Sequence, residues 1–205
     1  MKSPLVHGCY DLATLKTLIS LGITRFAFDL RARSPNLVTF CDLKLLVNEV
    51  PSAEITVVFQ DDRSSTVLSF LDLLKSTGRT IIPEFRDQQD PSYYHVLEVP
   101  FIWMFHPEGK WREILSLPNL AGVVLPMKWR SEYQRLTGLW EIIEKRNFPV
   151  LVHTEDLTIA RSLRAQEDLE LSIDLTSEVE QHYRLVDQER LRQLGPWRVN
   201  EATLI

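Results

Sequence analysis

EITVVFQDDRSSTVLSFLDLLKSTGRTIIPE, residues 54–84, contains a complete strand–helix–strand unit. EITVVF (54–59) is short and β-branched. From Ser64 to Leu74, Val67, Leu68, Phe70, Leu71 and Leu74 recur at helical spacing, and Gly78 follows as a stop. RTIIPE (79–84) is β-branched again. A strand, an amphipathic helix and a second strand within one short segment are the mark of a parallel sheet.

The pattern repeats in both directions. PLVH (4–7), TRFAFD (24–29), PFIWMF (100–105), AGVVLP (121–126), PVLVH (149–153) and ELSIDL (170–175) complete a set of eight candidate strands. They are nearly continuous apolar runs, as expected of strands covered on both faces. LATLKTLISLG (12–22), LTGLWEIIEKRN (136–147) and LTIARSLRAQ (157–166) read as helices between them. DQQDPSYYHVLEV (87–99) contains Pro91 and predicts only a turn or two. Gly195 and Pro196 stop the last helix, and Trp197 is placed to staple the tail onto the body. There is no linker or low-complexity tract, so the expected fold is one α/β domain over residues 1–205, a single (β/α)8 TIM barrel with a short tail from about 195.

Composition sets further bounds. With 44% hydrophobic and 25% charged residues the chain has the balance of a globular protein. The net charge of -5 argues against a nucleic-acid surface, which is usually basic. No apolar run approaches the ~20 residues of a membrane span. MKSPLVHGCYD lacks the features of a signal peptide. Cys9 and Cys41 have no metal-ligand spacing and suggest no disulfide framework, so a cytoplasmic location and no cofactor are expected.

Several stretches carry a family likeness. Leu5-Val6-His7-Gly8 is followed by Leu21-Gly22-Ile23-Thr24, Ala27-Phe28-Asp29-Leu30 and Ser34-Pro35-Asn36. Toward the other end come Thr154-Glu155-Asp156-Leu157, then Ile173-Asp174-Leu175-Thr176-Ser177-Glu178-Val179-Glu180, then Val186-Asp187-Gln188-Glu189-Arg190-Leu191. In type and order these resemble the phosphoribosylanthranilate isomerase family, a barrel of tryptophan biosynthesis, and the resemblance covers both ends of the chain. It implies an aldose–ketose isomerisation needing a base, an acid and a phosphate site.

Residue by residue, that chemistry is missing. The family's base, a cysteine ending strand 1, corresponds to His7. A histidine can serve as a base, with a reference pKa of ~6.5. The family's acid, an aspartate ending strand 6, corresponds to Pro126, with Met127 and Lys128 as its neighbours. Proline has no titratable group and no backbone donor. The arginine expected after Ser-Pro is Asn36, and the motif ending strand 4 has become Pro83-Glu84-Phe85-Arg86. The family's phosphate sits on glycine-rich loops, where bare backbone amides approach its oxygens. Here no glycine lies between Leu139 and Leu194. The corresponding loops carry Glu155, Asp156, Thr176, Ser177 and Glu178, whose carboxylates repel phosphate. Arg130 and Arg135, after strand 6, read as surface residues rather than an anion clamp.

Polar residues still collect at the strand ends, where this fold places its chemistry. His7, Asp29, Asp61, Glu84, His106, His153 and Asp174 are the pocket candidates, with Asn36 and Lys128 beside them. Asp174 is the one acidic pocket residue that matches the family. His95 and His182 sit in or near helical stretches and read as surface residues.

Three functions remain open. The first is a degenerate isomerase-like protein without the ancestral activity, binding a small ligand or a protein partner. Its barrel mouth is expected to be filled or covered, with Trp129 and Tyr133 placed to cover it. The second is an active isomerase with His7 as base. The third is a repurposed metal-dependent enzyme using His7, His106, His153 and Asp174, although no metal is expected.

Overall fold

In the computed structural model the chain closes eight parallel strands into a barrel, each strand bonded to its sequence neighbours and β8 to β1. The structure describes residues 2–164, 170–175, 180–182 and 185–197. The strands are β1 (Leu5–His7), β2 (Arg25–Asp29), β3 (Glu54–Phe59), β4 (Ile81–Phe85), β5 (Phe101–Met104), β6 (Leu120–Pro126), β7 (Val150–Thr154) and β8 (Glu170–Asp174). Each coincides with an expected strand, with ends moved by a residue or two. The helices are α1 (Leu12–Ser20), α2 (Phe40–Asn48), α3 (Ser64–Lys75), α4 (Pro91–Leu97), α5 (Trp111–Leu115), α6 (Arg130–Tyr133), α7 (Leu139–Arg146), α8 (Leu157–Arg164) and α9 (Gln188–Arg192). Among the described residues no helix is long and apolar enough to cross a membrane.

Local chemistry sets the helix limits. Asp11 caps α1 through the Thr14 amide, and Thr39 caps α2 through Asp42. α4 tolerates Pro91 because the proline sits in its first turn, where a missing amide costs nothing. α7 begins three residues later than its apolar pattern suggests, because Gly138 takes the left-handed conformation at φ 82°. Between β8 and α9 lies an antiparallel ribbon, β9 (Glu180–His182) with β10 (Leu185–Val186). His182 therefore lies on a strand, near α9 rather than in it. Its segment is too short for the period-two pattern that reveals a strand.

The strands bury two separate apolar layers. Leu5, Ala27, Val58, Ile102, Met104, Val124 and Leu151 fill the barrel interior. The intervening residues, among them Val6, Phe26, Phe28, Phe59, Phe85 and Trp103, pack outward against the helices. Because successive strand residues alternate faces, the residue two past each interior apolar one also points inward. This places His7 above Leu5, Asp29 above Ala27, Glu84 above Ile82, Pro126 above Val124 and His153 above Leu151. At the opposite end, Arg25 bonds Glu54 and Glu170, and Lys2 also reaches Glu170. The described start of the tail is pinned at Trp197. The Trp197 amide donates to the Leu21 carbonyl at 2.6 Å, and its ring is buried.

Candidate functional site

The inward residues at the carboxyl ends of the strands form one connected polar cluster. His7, Asp29, Glu84, His153, Ser172 and Asp174 are all buried. At its centre is Arg86, two residues beyond Glu84. Its Nε meets Glu84 Oε1 at 3.2 Å and its Nη1 meets Asp174 Oδ2 at 3.2 Å. Nη2 reaches His7 Nδ1 at 2.7 Å. On the other side of His7, Nε2 lies 2.9 Å from Ser172 Oγ, and Ser172 Oγ lies 2.9 Å from His153 Nδ1. Glu84 Oε2 has no hydrogen-bond partner and stands 3.5 Å from His7 Nε2.

Electrostatics follow from this packing. Burial, reinforced by the Arg86 guanidinium, holds His7 well below the ordinary histidine range. The same two causes push His153 down to about 4. Both imidazoles are therefore neutral near pH 7. Burial raises Glu84, with Arg86 partly offsetting it. Burial also opposes the Arg86 charge, but Glu84, Asp174 and Asp29 outweigh it and strengthen its hold on its proton.

The other expected residues take definite places. Asp29 is clamped by Arg31, which donates to it from Nε at 2.8 Å and from its own amide at 3.0 Å. Asn36 is buried in the loop that continues from β2, its amide bonded to Ser34 Oγ. Pro126 ends β6 beside His153, and its carbonyl accepts from the Tyr133 hydroxyl at 2.8 Å. Tyr133 is thus packed under the loop against Phe105 rather than over the mouth. Lys128 is exposed, with Nζ 4.9 Å from the centre of the Trp129 ring. His106 bonds the Arg86 carbonyl through Nε2 at 2.9 Å and packs against Trp129. Arg130 and Arg135 are exposed. Among the described residues no group of His, Cys, Asp or Glu side chains is arranged to hold a metal ion. The nitrogens of His7 are already engaged by Arg86 and Ser172.

The loop after β7 is turned inward on itself. Asp156 Oδ1 accepts from the Thr158 and Ile159 amides at 2.7 and 3.0 Å. The N-terminal amides of α8, the groups a phosphate would need, are thus capped by the chain's own carboxylate. Glu155 is exposed beside it. Thr176, Ser177 and Glu178 lie outside the described residues.

The mouth is not closed, contrary to expectation. Above the cluster is a cavity of about 490 Å3, walled by Arg31, Gln60, Lys128, Trp129, His153, Asp156 and their neighbours. Trp129 forms part of its wall instead of lying across it. Arg31, Arg86 and Ser172 were missed as site residues, yet they lie at the same period-two positions that single out Asp29, Glu84 and Asp174. Counting on past the strand ends identifies the first two, and counting back from Asp174 identifies the third.

Fold and site together define a (β/α)8 barrel with a polar cluster and an open cavity at the carboxyl ends of its strands. Its architecture is that of the phosphoribosylanthranilate isomerases. The Thermus thermophilus enzyme superposes with a TM-score of 0.66 at 20% identity, over 95% of this chain and 96% of that one. The Thermotoga maritima enzyme, as monomers generated from a dimer, gives 0.67 at 14%, over 95% and 96%. A phosphoribosylanthranilate isomerase in complex with reduced 1-(o-carboxyphenylamino)-1-deoxyribulose 5-phosphate gives 0.65 at 12%, over 95% and 96%. No protein-family profile matches the chain, and no curated protein does.

Proposed function

We propose that this chain is an isomerase-like barrel that has lost the ancestral reaction and uses its open mouth to bind a small ligand. The observation that carries this reading is the contact between Arg86 Nη2 and His7 Nδ1. A general base needs a free lone pair within reach of the substrate proton. The Nδ1 lone pair of His7 is held by a guanidinium that never gives up its proton. Its Nε2 faces Ser172 inside the barrel. Pro126 has no proton to donate where the acid is needed, and Asp156 occupies the amides that would hold phosphate. Base, acid and phosphate grip fail together and for separate reasons.

In this reading the chain acts in the cytoplasm as one barrel domain. It uses no resident cofactor and does not bind nucleic acid. The test is to supply phosphoribosylanthranilate to the purified chain and follow the loss of its fluorescence. No turnover above the uncatalysed rate is expected. Turnover at an ordinary enzymatic rate, with kcat near ~1 per second or above, overturns the reading.

A further inference from the structure

One assignment of protons lets Arg86, His7, Ser172 and His153 satisfy one another. Arg86 cannot accept, so His7 Nδ1 accepts from it. A proton on Nδ1 would face the guanidinium, so His7 carries its single proton on Nε2 and donates it to Ser172 Oγ. Ser172 then points its own proton at His153 Nδ1. His153 is left with its proton on Nε2, and His153 lines the mouth cavity. The buried chain Arg86–His7–Ser172–His153 thus fixes a histidine tautomer at the floor of the cavity and gives it a donor, not an acceptor.

Of the cations around that donor, the two arginines are spent on carboxylates and Lys128 lies over the Trp129 ring. Arg31 donates to Asp29 from Nε and Nη2 and to Gln60 from Nη1. Arg86 is shared between Glu84 and Asp174. Glu155 and Asp156 line one wall and repel anions. The donor-only floor, backed by two guanidinium groups, disfavours a cation. Met104, Met127, Trp129 and Ile159 supply apolar wall. The volume of about 490 Å3 lies within the range of ~300–1,000 Å3 usual for small-molecule sites.

Resting on the reading of the mouth as a ligand site, we propose that it selects a small, flat, uncharged molecule with a carbonyl-type acceptor, held by His153 Nε2–H beside Trp129. Ser172 and His7 are positioning residues that act through His153.

The full chain, labelled with 15N-histidine, is titrated with 2-quinolone, quinoline-2-carboxylate, naphthalene and inorganic phosphate. The free protein is expected to show His153 as the neutral Nε2–H tautomer. 2-Quinolone is expected to shift that resonance saturably and to bind at least about tenfold more tightly than the other three, the value of one good hydrogen bond. Ser172→Ala is expected to mix the His153 tautomers and to remove most of that preference, and Ser172→Thr to restore both. A His153 Nδ1–H tautomer in the wild-type chain overturns the proposal without need of any variant. So does tighter binding of the carboxylate or of phosphate, or the lack of a saturable shift with 2-quinolone. None of these outcomes creates isomerase turnover, so the underlying reading falls only in the phosphoribosylanthranilate assay.

Discussion

Arg86 Nη2 lies 2.7 Å from His7 Nδ1, so a guanidinium holds the lone pair of that imidazole. The same side chain pairs with Glu84 and with Asp174, each at 3.2 Å. Replacing Arg86 by Met should therefore take a paired guanidinium from two buried carboxylates and cost about 3–5 kcal/mol. Urea denaturation measures the loss. Adding Glu84→Gln to the same chain should recover part of it, because a neutral amide is cheaper to leave inside than an unpaired carboxylate. A loss below about 1 kcal/mol would place Arg86 in solvent rather than at the centre of the cluster.

Stability should fall on the acid side. His153 has a folded pKa of about 4, below its unfolded value of ~6.5. The unfolded chain therefore binds the proton first, and stability present above pH 6.5 is lost as pH falls toward 4. The full shift corresponds to roughly 3 kcal/mol. His7 is displaced in the same direction. Glu84 acts oppositely: its raised folded pKa favours the folded state at low pH, and that benefit disappears as pH rises through it. The net slope is thus shallower than two histidines alone would give. Urea midpoints at pH 7, 6, 5 and 4 measure it, and His153→Gln should flatten the curve.

Asp156 caps α8, and Asp156→Ala should destabilise the fold by about 0.5–2 kcal/mol. The same change frees the helix N-terminal amides. Millimolar inorganic phosphate should then raise the Tm of the variant more than that of the wild-type chain. Equal responses in a thermal-shift assay would mean that the amides are satisfied in some other way.

Trp197 closes the tail over the end of α1. Its buried ring and its amide bond to Leu21 predict a cost of about 3–5 kcal/mol for Trp197→Ala. Equilibrium denaturation tests this directly. A change within about 0.5 kcal/mol would mark the tail as an ornament on the surface.

The barrel was legible because strands buried on both faces must be apolar throughout, and runs such as Glu54–Phe59 leave no other reading. Chain ends and short pieces were less legible. The β9–β10 ribbon is too brief to show a period, and α5 spans only five residues. Within the site, His7, Asp29, Glu84, His153 and Asp174 stood out because polar residues at the ends of apolar runs are conspicuous. Arg86 lies one residue past β4 and Arg31 two past β2; the alternation carried beyond the strands puts both on the inward face, but charged residues there are ordinarily solvated, and the sequence does not show why these turn in. The reason is the set of buried carboxylates that they meet, Asp29 and Glu84 on their own strands and Asp174 across the barrel. Tyr133 went the other way: nothing in its loop sequence reveals that its hydroxyl has a carbonyl partner at Pro126.

The inward turn of Asp156 has a thermodynamic consequence. A barrel whose α8 amides wait for a phosphate gains stability whenever the phosphorylated metabolite is abundant, by mass action. Here the chain supplies its own tethered carboxylate to those amides. The stability that α8 gains from a filled N-terminus is thereby built into the chain and does not vary with the concentration of a free anion.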